Sequence, residues 1–471
     1  MRKPIAWAGA FALVLSHVPG AYAAASDKDL EEIRAQIKEL KSSYEARIQA
    51  LEQRLKEAEQ KASQAQAEAK KANDTAQEVA NAPLPVPAPA APAAGASGIA
   101  AFNPAISAVL QGTYANLSRD PKQFAIAGYP LGGDAGPGKR GFSLGESELA
   151  IFANVDPIFS GTLIASITPE DTIGVEEAYG IVNGAPYGIV PKFGRFFSGI
   201  GYLNEQHQHV WDFVDAPLAY QAFLGGQYPQ DGLQAKWVAP LDQYLELGAE
   251  AGNGAHFPGT ERNHNGVGSW ALYAHTGGDI GDSHNWRAGL SYLSTRAEDR
   301  EYSQPDAFGR DASLAFTGPS HLAIADFIWK YAPHGNTLAN TFKLQGEYFY
   351  RKESGDLTYN PASVLESSAR YSARQSGWYL QGVYQFIPTW RAGLRYDRLA
   401  SGGQDYGANS AFLASTGFAP RRYSAMVDWT PSEFSRIRLQ YARSETVPGI
   451  TDNEWFLQYI LSIGAHGAHK Y

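Results

Sequence analysis

The chain has 471 residues, no cysteine and a formal net charge of −9. The lack of cysteine excludes disulfides, thiolate metal sites and a lipoprotein anchor, and the negative charge argues against nucleic-acid binding. Aromatic residues make up 12% of the chain and glycine occurs 48 times, which is typical of membrane barrels rather than soluble enzymes. After the N-terminus no apolar run approaches the roughly 20 residues of a membrane helix. If the protein spans a membrane, it does so with strands.

Residues 1–23 have the pattern of a secretory signal. Arg2 and Lys3 form a basic start, Ile5 to Leu15 is apolar, and Ala21-Tyr22-Ala23 fits the small-residue cleavage site. A membrane anchor is the alternative, but the apolar core is too short for it. We therefore expect the chain to be exported.

Residues 24–82 are predicted to form a coiled coil. Apolar positions from Leu30 to Val79 recur in steps of three and four, with one extra step of four around Tyr44. This is a heptad seam with a single stutter. A solitary solvated helix is the alternative, but so long a seam is useful only against a partner helix. We expect this segment to join subunits, and residues 83–101, rich in proline and alanine, to form a semi-rigid linker.

Residues 102–471 are predicted to form an all-β transmembrane antiparallel barrel, and Gly377–Leu399 shows the pattern best. Apolar or small residues alternate there with polar ones on either side of a turn at Pro388-Thr389. Period two indicates β-strands, and the short turn indicates a hairpin. Aromatic residues frame the apolar face, which favours lipid contact over a soluble sandwich. The face predicted to meet lipid carries Trp378, Leu380, Gly382, Tyr384, Phe386, Trp390, Ala392, Leu394 and Tyr396.

About sixteen strands follow from the same pattern. Their predicted starts lie near Ala105, Phe142, Gly161, Gly174, Tyr187, Gly232, Gln243, Ser269, Asn285, His321, Thr341, Ser376, Trp390, Arg422, Ser435 and Trp455. Short turns at one rim and long loops at the other are typical of an outer-membrane barrel. The long loops are predicted at Arg119–Arg140, Ser198–Asp231, Asn253–Gly268, Arg296–Pro319, Arg351–Arg374, Ser401–Pro420 and Glu445–Asn453, with a tight connection at Pro169–Thr172. An even strand number places both termini, and the coiled coil, in the periplasm.

Two stretches, Gly141–Pro157 and Phe193–Tyr228, and the C-terminal GAHGAHKY resemble a group of proteobacterial outer-membrane proteins. These proteins carry a periplasmic coiled coil ahead of a porin-type barrel, and some are labelled zinc-regulated outer-membrane receptors. The overall plan is also similar to the dicarboxylate-type porins, which are trimers. The resemblance implies a channel in the outer membrane of a Gram-negative cell.

The first candidate site is the predicted loop Ser198–Asp231. Its ionisable residues are Glu205, His207, His209, Asp212 and Asp215. His-x-His beside carboxylates offers the ligand types of a zinc or copper site. The alternative, which we favour because two histidines do not complete a coordination set, is an aromatic loop folded into the lumen. For the second pair, His466 and His469, we likewise favour chain-end packing over metal binding.

The second candidate site is the polar face of the strands. On the later strands this face carries Arg391, Arg395, Arg422, Arg436 and Arg438. On the earlier strands it carries Glu146, Glu148, Glu246 and Glu250. Guanidinium groups stay charged and orient carboxylates or phosphates. A basic wall facing an acidic wall would set up a field across a narrow pore. Salt bridges that neutralise each other without selectivity are an equal alternative.

No constellation of residues in the sequence supports catalysis or a cofactor, and the metalloprotease motif H-E-x-x-H is missing. We expect a homotrimeric outer-membrane channel for small hydrophilic solutes, with anions favoured by the arginine face. One alternative is a metal-uptake receptor, which would need a plug and an energy-coupling segment. The other is an envelope tether whose coiled coil grips peptidoglycan while the barrel anchors it in the lipid bilayer.

Overall fold

The computed structural model describes Gln53 and residues 104–133, 135–168 and 172–464. The chain divides into two compact units, Met1–Gly95 and Ala96–Tyr471. The predicted signal segment, the linker and the pair His466 and His469 lie outside the described residues. The same holds for the predicted coiled coil except Gln53, which is helical and exposed.

The second unit is a closed antiparallel barrel with almost no helix. Its strands are β1 (Ala105–Leu117), β2 (Gly141–Leu144), β3 (Ser147–Asn154), β4 (Phe159–Ile167), β5 (Ile173–Val182), β6 (Ile189–Phe197), β7 (Pro229–Val238), β8 (Tyr244–Gly252), β9 (Ser269–Ile280), β10 (His284–Pro305), β11 (Asp311–Tyr331), β12 (Thr341–Tyr359), β13 (Ser367–Ile387), β14 (Trp390–Asp405), β15 (Arg421–Ser432), β16 (Ser435–Val447) and β17 (Ile450–Gly464). Except for β2 and β3, which both pair with β1, each strand pairs with its neighbours in the sequence, and β1 pairs with β17 to close the ring.

The barrel wall contains sixteen strands, because β2 and β3 are two parts of one. Both pair with β1, and only Gly145 and Glu146 separate them. This strand number confirms the sequence-based prediction. Most strand starts also agree, and β1, β9, β12, β14 and β16 begin at the predicted residue.

Three of the predicted long loops are wrong. Strands occupy most of Arg296–Pro319, Arg351–Arg374 and Glu445–Asn453, and the actual connections are residues 306–310, 360–366 and 448–449. In the last of these, Gly449 has a φ of 71°, which lets Pro448-Gly449 close a two-residue turn. The hairpins are longer than expected because β10–β13 have 19–22 residues, about twice what is needed to cross a bilayer.

The extended ends of these strands are held together by an apolar cluster of their own. From β10–β13 it contains Ala297, Ala312, Leu314, Phe316, Leu357, Tyr359, Tyr371 and Ala373, and the connection after β14 adds Tyr406 and Leu413. Packing of these side chains on one face offsets the loss of chain entropy that long hairpins require. The long-loop rim is therefore highest along β10–β13.

The outer face of the barrel follows the predicted alternation. Leu380 and Leu394 are 47% and 69% exposed, whereas their neighbours Gln381 and Arg395 are each 3% exposed. Stacked Trp390 and Trp429 lie near the short-turn rim. A second aromatic row contains the contacting pairs Trp378–Tyr396, Tyr396–Tyr423 and Tyr441–Trp455. An apolar band between two aromatic rows suits contact with lipid. Among the described residues, no helix is long and apolar enough to cross a membrane.

Candidate functional site

The connection between β6 and β7, residues 198–228, is the inner loop, and it is among the most buried parts of the barrel unit. Helix α1 (Leu218–Leu224) lies within it, and all seven of its residues are buried. Ile200, Trp211 and Phe223 are at most 4% exposed and pack in one cluster with inward-facing side chains of the wall. Burial of this apolar surface holds the loop inside the barrel rather than above it.

Inward-facing polar side chains from several strands bind the backbone of the inner loop. A buried loop would otherwise carry unsatisfied N–H groups. Glu250 of β8 accepts from the N–H of Gly199 at 2.8 Å, and Asp397 of β14 accepts from that of Leu218 at 2.8 Å. Gln440 of β16 accepts from the N–H of Val214 at 2.7 Å. These strands lie at different positions around the ring, so the inner loop crosses the interior.

Glu347 of β12 accepts hydrogen bonds from four donors, three of which belong to the inner loop. Its carboxylate accepts from the N–H groups of Tyr202 and Leu203 at 3.0 and 3.1 Å. It also accepts from the hydroxyls of Tyr220 and Tyr379 at 2.9 and 2.6 Å. Burial and the negative charge of Glu347 raise the pKa of Tyr220 well above its usual value. Sequence reasoning missed Glu347, although the alternation of β12 places it on the inner face with Gln345 and Arg351.

The predicted arginines face the interior, but three of them are buried and ion-paired. Arg395, Arg422 and Arg438 are at most 3% exposed. Asp215 of the inner loop lies 2.9 Å from Arg395 and 2.5 Å from Arg422. Two aspartates on the arginine strands add further pairs, Asp397 with Arg395 at 3.0 Å and Asp428 with Arg438 at 2.7 Å. The main partners of the arginines thus come from the inner loop and their own wall, not from a separate acidic wall.

The remaining two predicted arginines are less buried, each with 23% side-chain exposure. Arg391 lies 3.2 Å from Asp212 and also pairs with Asp428. Arg436 donates to the carbonyl groups of His209 and Trp211 at 3.3 and 3.4 Å. Both therefore lie where the inner loop meets the wall.

The two aspartates of the inner loop owe their charged state to these cations. Burial alone would raise the pKa of Asp212, but Lys343 and Arg391 outweigh it and hold the pKa below its usual range. The pKa of Asp215 is lowered in the same way, because Arg395 and Arg422 outweigh burial. Both carboxylates are thus anionic anchors between the loop and the wall.

The other candidate glutamates lie on elements other than the arginine strands β14–β16. Glu205 of the inner loop pairs with Lys236 at 2.5 Å, and Glu246 lies 3.1 Å from Nδ1 of His275. Glu146, in the break between β2 and β3, lines a cavity. Like the arginines, most of these acids are paired within the interior.

The histidines of the inner loop meet a group of wall carboxylates. Nδ1 of His207 lies 3.3 Å from both Glu148 and Glu176, and its Nε2 lies 3.1 Å from Glu177. Nδ1 of His209 lies 2.8 Å from Glu148. Burial alone would lower the pKa of His207, but hydrogen bonds to the three glutamates raise it well above its usual value. Candidate ligand atoms of Glu148, Glu176 and His207 all lie within 4.8 Å of one another.

One cavity adjoins the inner loop, and a second adjoins the basic wall at Arg391. The larger, about 590 Å³, opens between the β1–β2 loop and the inner loop and is lined by Lys139, Glu146, Glu176, Arg195 and His256. The smaller, about 320 Å³, lies near the short-turn rim and is lined by Lys330, Thr341, Lys343, Gln385 and Arg391. Charged and polar side chains line both cavities together with apolar ones.

Several known proteins are similar to this chain. Solved structures with a similar fold include the outer membrane channel DcaP of Acinetobacter baumannii, at 14% identity and a TM-score of 0.46 over 79% of this chain and 100% of that chain. A loop L8 deletion mutant of OmpT from Vibrio cholerae matches with a TM-score of 0.47 and 12% sequence identity. An anion-selective porin from Comamonas acidovorans matches with the same TM-score of 0.47 and 8% sequence identity. Each match covers 77% of this chain and 100% of the other. Likenesses this distant tell nothing about function.

Comparison at the level of sequence is more specific. No protein-family model matches the chain. An uncharacterized protein from Aquifex aeolicus (strain VF5) is 33% identical over 357 residues, which cover 71% of each chain. The protein described here therefore belongs to the same family as that Aquifex aeolicus protein.

Proposed function

We propose that the protein is an outer-membrane porin, through which small hydrophilic solutes diffuse passively past the inner loop. The observation that carries the proposal is the closed sixteen-stranded barrel with an apolar, aromatic-framed outer face and a polar interior. Barrels of sixteen to eighteen strands are wide enough for an aqueous channel. The inner loop then forms the constriction of that channel.

The proposed selectivity for anions depends on the short-turn side of the constriction. The lining of the smaller cavity contains the cations Lys330, Lys343 and Arg391 and, among the described residues, no carboxylate. Fixed positive charge in a narrow passage concentrates anions and repels cations. Asp212 pairs with both Lys343 and Arg391, so the selectivity we propose is modest.

The N-terminal part of the proposal depends on sequence alone. We propose that residues 1–23 direct export and that residues 24–82 form a periplasmic coiled coil that joins three copies. The heptad seam from Leu30 to Val79 supports this role. Contact of the coiled coil with peptidoglycan belongs to the same proposal.

Planar-bilayer recording of the purified protein tests the proposal. We expect open-channel steps that occur in groups of three, and a zero-current potential in a dilute salt gradient that indicates anion preference. The variant Arg391→Glu should shift that potential toward cation preference, whereas Arg310→Glu, on an exposed turn between β10 and β11, should leave it unchanged. A barrel that never opens would contradict the porin and favour the envelope tether or the uptake receptor.

A further inference from the structure

Five ionisable side chains from three separate elements meet on one side of the barrel interior. Glu148 comes from β3, Glu176 and Glu177 from β5, and His207 and His209 from the inner loop. The side chains of Glu148, Glu176 and Glu177 are only 4%, 7% and 10% exposed. The chain thus brings three carboxylates and two imidazoles together in a site that is nearly closed to water.

A β-bulge is what allows two consecutive glutamates to contact the same imidazole. In a regular strand, neighbouring side chains point to opposite faces of the sheet. In the pairing of β4 with β5, Ile164 is opposite Glu177 but Ala165 is opposite Val175, so Glu176 has no partner residue. Bulges of this kind occur next to functional sites and re-aim side chains. Glu176 is thereby turned inward instead of toward lipid.

The two nitrogens of His207 face different carboxylates. Nδ1 is 3.3 Å from Glu148 and from Glu176, while Nε2 is 3.1 Å from Glu177. Histidine ligands of metal ions commonly donate their other ring N–H to a carboxylate, which fixes the tautomer and orients the ring. Glu177 is in the position to accept that hydrogen bond, which leaves Nδ1 as the ligand atom. Nδ1 of His209 lies 2.8 Å from the other oxygen of Glu148, Oε1, whereas Nδ1 of His207 faces Oε2.

The charges of the site also favour a cation. Lys192 of β6 contributes positive charge near Glu177 and stacks over the ring of Tyr179 at 4.3 Å. Glu148 and Glu176 converge on a single imidazole nitrogen, Nδ1 of His207. Buried carboxylates are costly unless they are paired or coordinate a metal ion. A divalent ion among these atoms would balance both of them.

We propose that Glu148, Glu176 and His207 bind one divalent first-row transition-metal ion. One imidazole nitrogen and two carboxylate oxygens are ligands that Zn²⁺, Mn²⁺, Fe²⁺ and Co²⁺ accept. Three protein ligands leave room for water or a solute to coordinate as well. Glu176 lines the larger cavity, which gives the ion a path from the long-loop side. The bound ion would tie the inner loop to β3 and β5.

Calorimetric titration of the purified full-length protein with Zn²⁺ tests this proposal. We expect one Zn²⁺ per chain, with binding weakened by more than 100-fold in His207→Ala and in the isosteric Glu176→Gln. Glu177→Gln should weaken binding by about 10–100-fold, because it removes only the partner that orients the imidazole. Circular dichroism of each variant shows whether the barrel has folded, and Glu176→Gln keeps the test decisive if His207→Ala does not fold.

Two control variants separate this site from other histidines. His334→Ala alters an exposed histidine 3.7 Å from Asp282 on a short turn, and His466→Ala with His469→Ala alters the C-terminal pair. Both controls should keep wild-type affinity. The proposal is overturned if the wild type binds no Zn²⁺ at millimolar concentration, or if folded Glu176→Gln binds as tightly as the wild type. Loss of binding only in the C-terminal variant would also overturn it. None of these results depends on whether the barrel conducts.

Discussion

At the scale of single residues, carboxylates of the wall act as acceptors for the inner loop. Glu347 serves two backbone N–H groups and two tyrosine hydroxyls, so one side chain replaces the water that the loop loses on burial. Gly201 enters this contact with a φ of 67°, and a Cβ at this position would collide with the carboxylate of Glu347. The approach of the loop to β12 thus depends on one acceptor and one glycine.

The variant Glu347→Ala is predicted to destabilise the barrel. It leaves the buried N–H group of Tyr202 without its acceptor, and a single such group costs about 1–3 kcal/mol. We expect the free energy of unfolding in urea, measured in lipid vesicles, to fall by at least that amount. Glu301→Ala, which removes an exposed glutamate on β10, is the matched control and should change it little. Equal stability of the two variants would show that Glu347 does not anchor the loop.

At the scale of elements, the inner loop is fastened to the arginine strands by Asp212 and Asp215. The pKa of each is lower in the folded protein than the value of about 3.9 expected for an unfolded chain. A lowered pKa contributes stability that is present above the unfolded value and is lost as pH falls through the folded value. The loop should therefore stay attached at pH 4, where ordinary aspartates are about half protonated.

Limited proteolysis at pH 7 and pH 4 is the measurement for this attachment. With a protease active at each pH, we expect no cleavage between Ser198 and Tyr228 in the wild type at either pH. The double variant Asp212→Asn with Asp215→Asn should be cleaved there at both, because Arg391, Arg395 and Arg422 then lose their anionic partners in the loop. Cleavage of the wild type at pH 4 alone would mean that these aspartates titrate normally.

The local sequence pattern predicted the positions of the strands better than it predicted the contacts between distant segments. Strand starts such as Thr341 and Trp390 follow from period two and turn residues, which the sequence displays directly. The extended hairpins depend on pairing and packing between distant segments, so their lengths could not be predicted. The contacts of Glu347 and Asp397 with the inner loop could not be predicted either, because they join residues that are 144 and 179 positions apart in the sequence. Glu176 was missed because a bulge breaks the alternation on which the prediction relied.

At the scale of the whole molecule, the proposed coiled coil and the barrel have separate tasks. If residues 24–82 join the subunits, deletion of Asp27–Ala82 should leave a folded barrel and weaken the oligomer, because the apolar seam is lost. Cross-linking of the purified deletion variant, compared with the full chain, gives the subunit number. An oligomer that survives the deletion undiminished would mean that the barrels associate without the coiled coil.

Single-channel conductance with and without the inner loop tests most directly whether the barrel is a channel narrowed by that loop. The ends of the loop are adjacent, since the N–H of Ser198 donates to the carbonyl of Tyr228 at 3.1 Å, so a short Gly-Ser link can replace Gly199–Gln227. We expect the wild type to open in planar bilayers and the shortened variant to conduct several-fold more, because the lumen is then wider. A wild type that shows no open steps, or a folded shortened variant with the same conductance, would contradict the proposed channel.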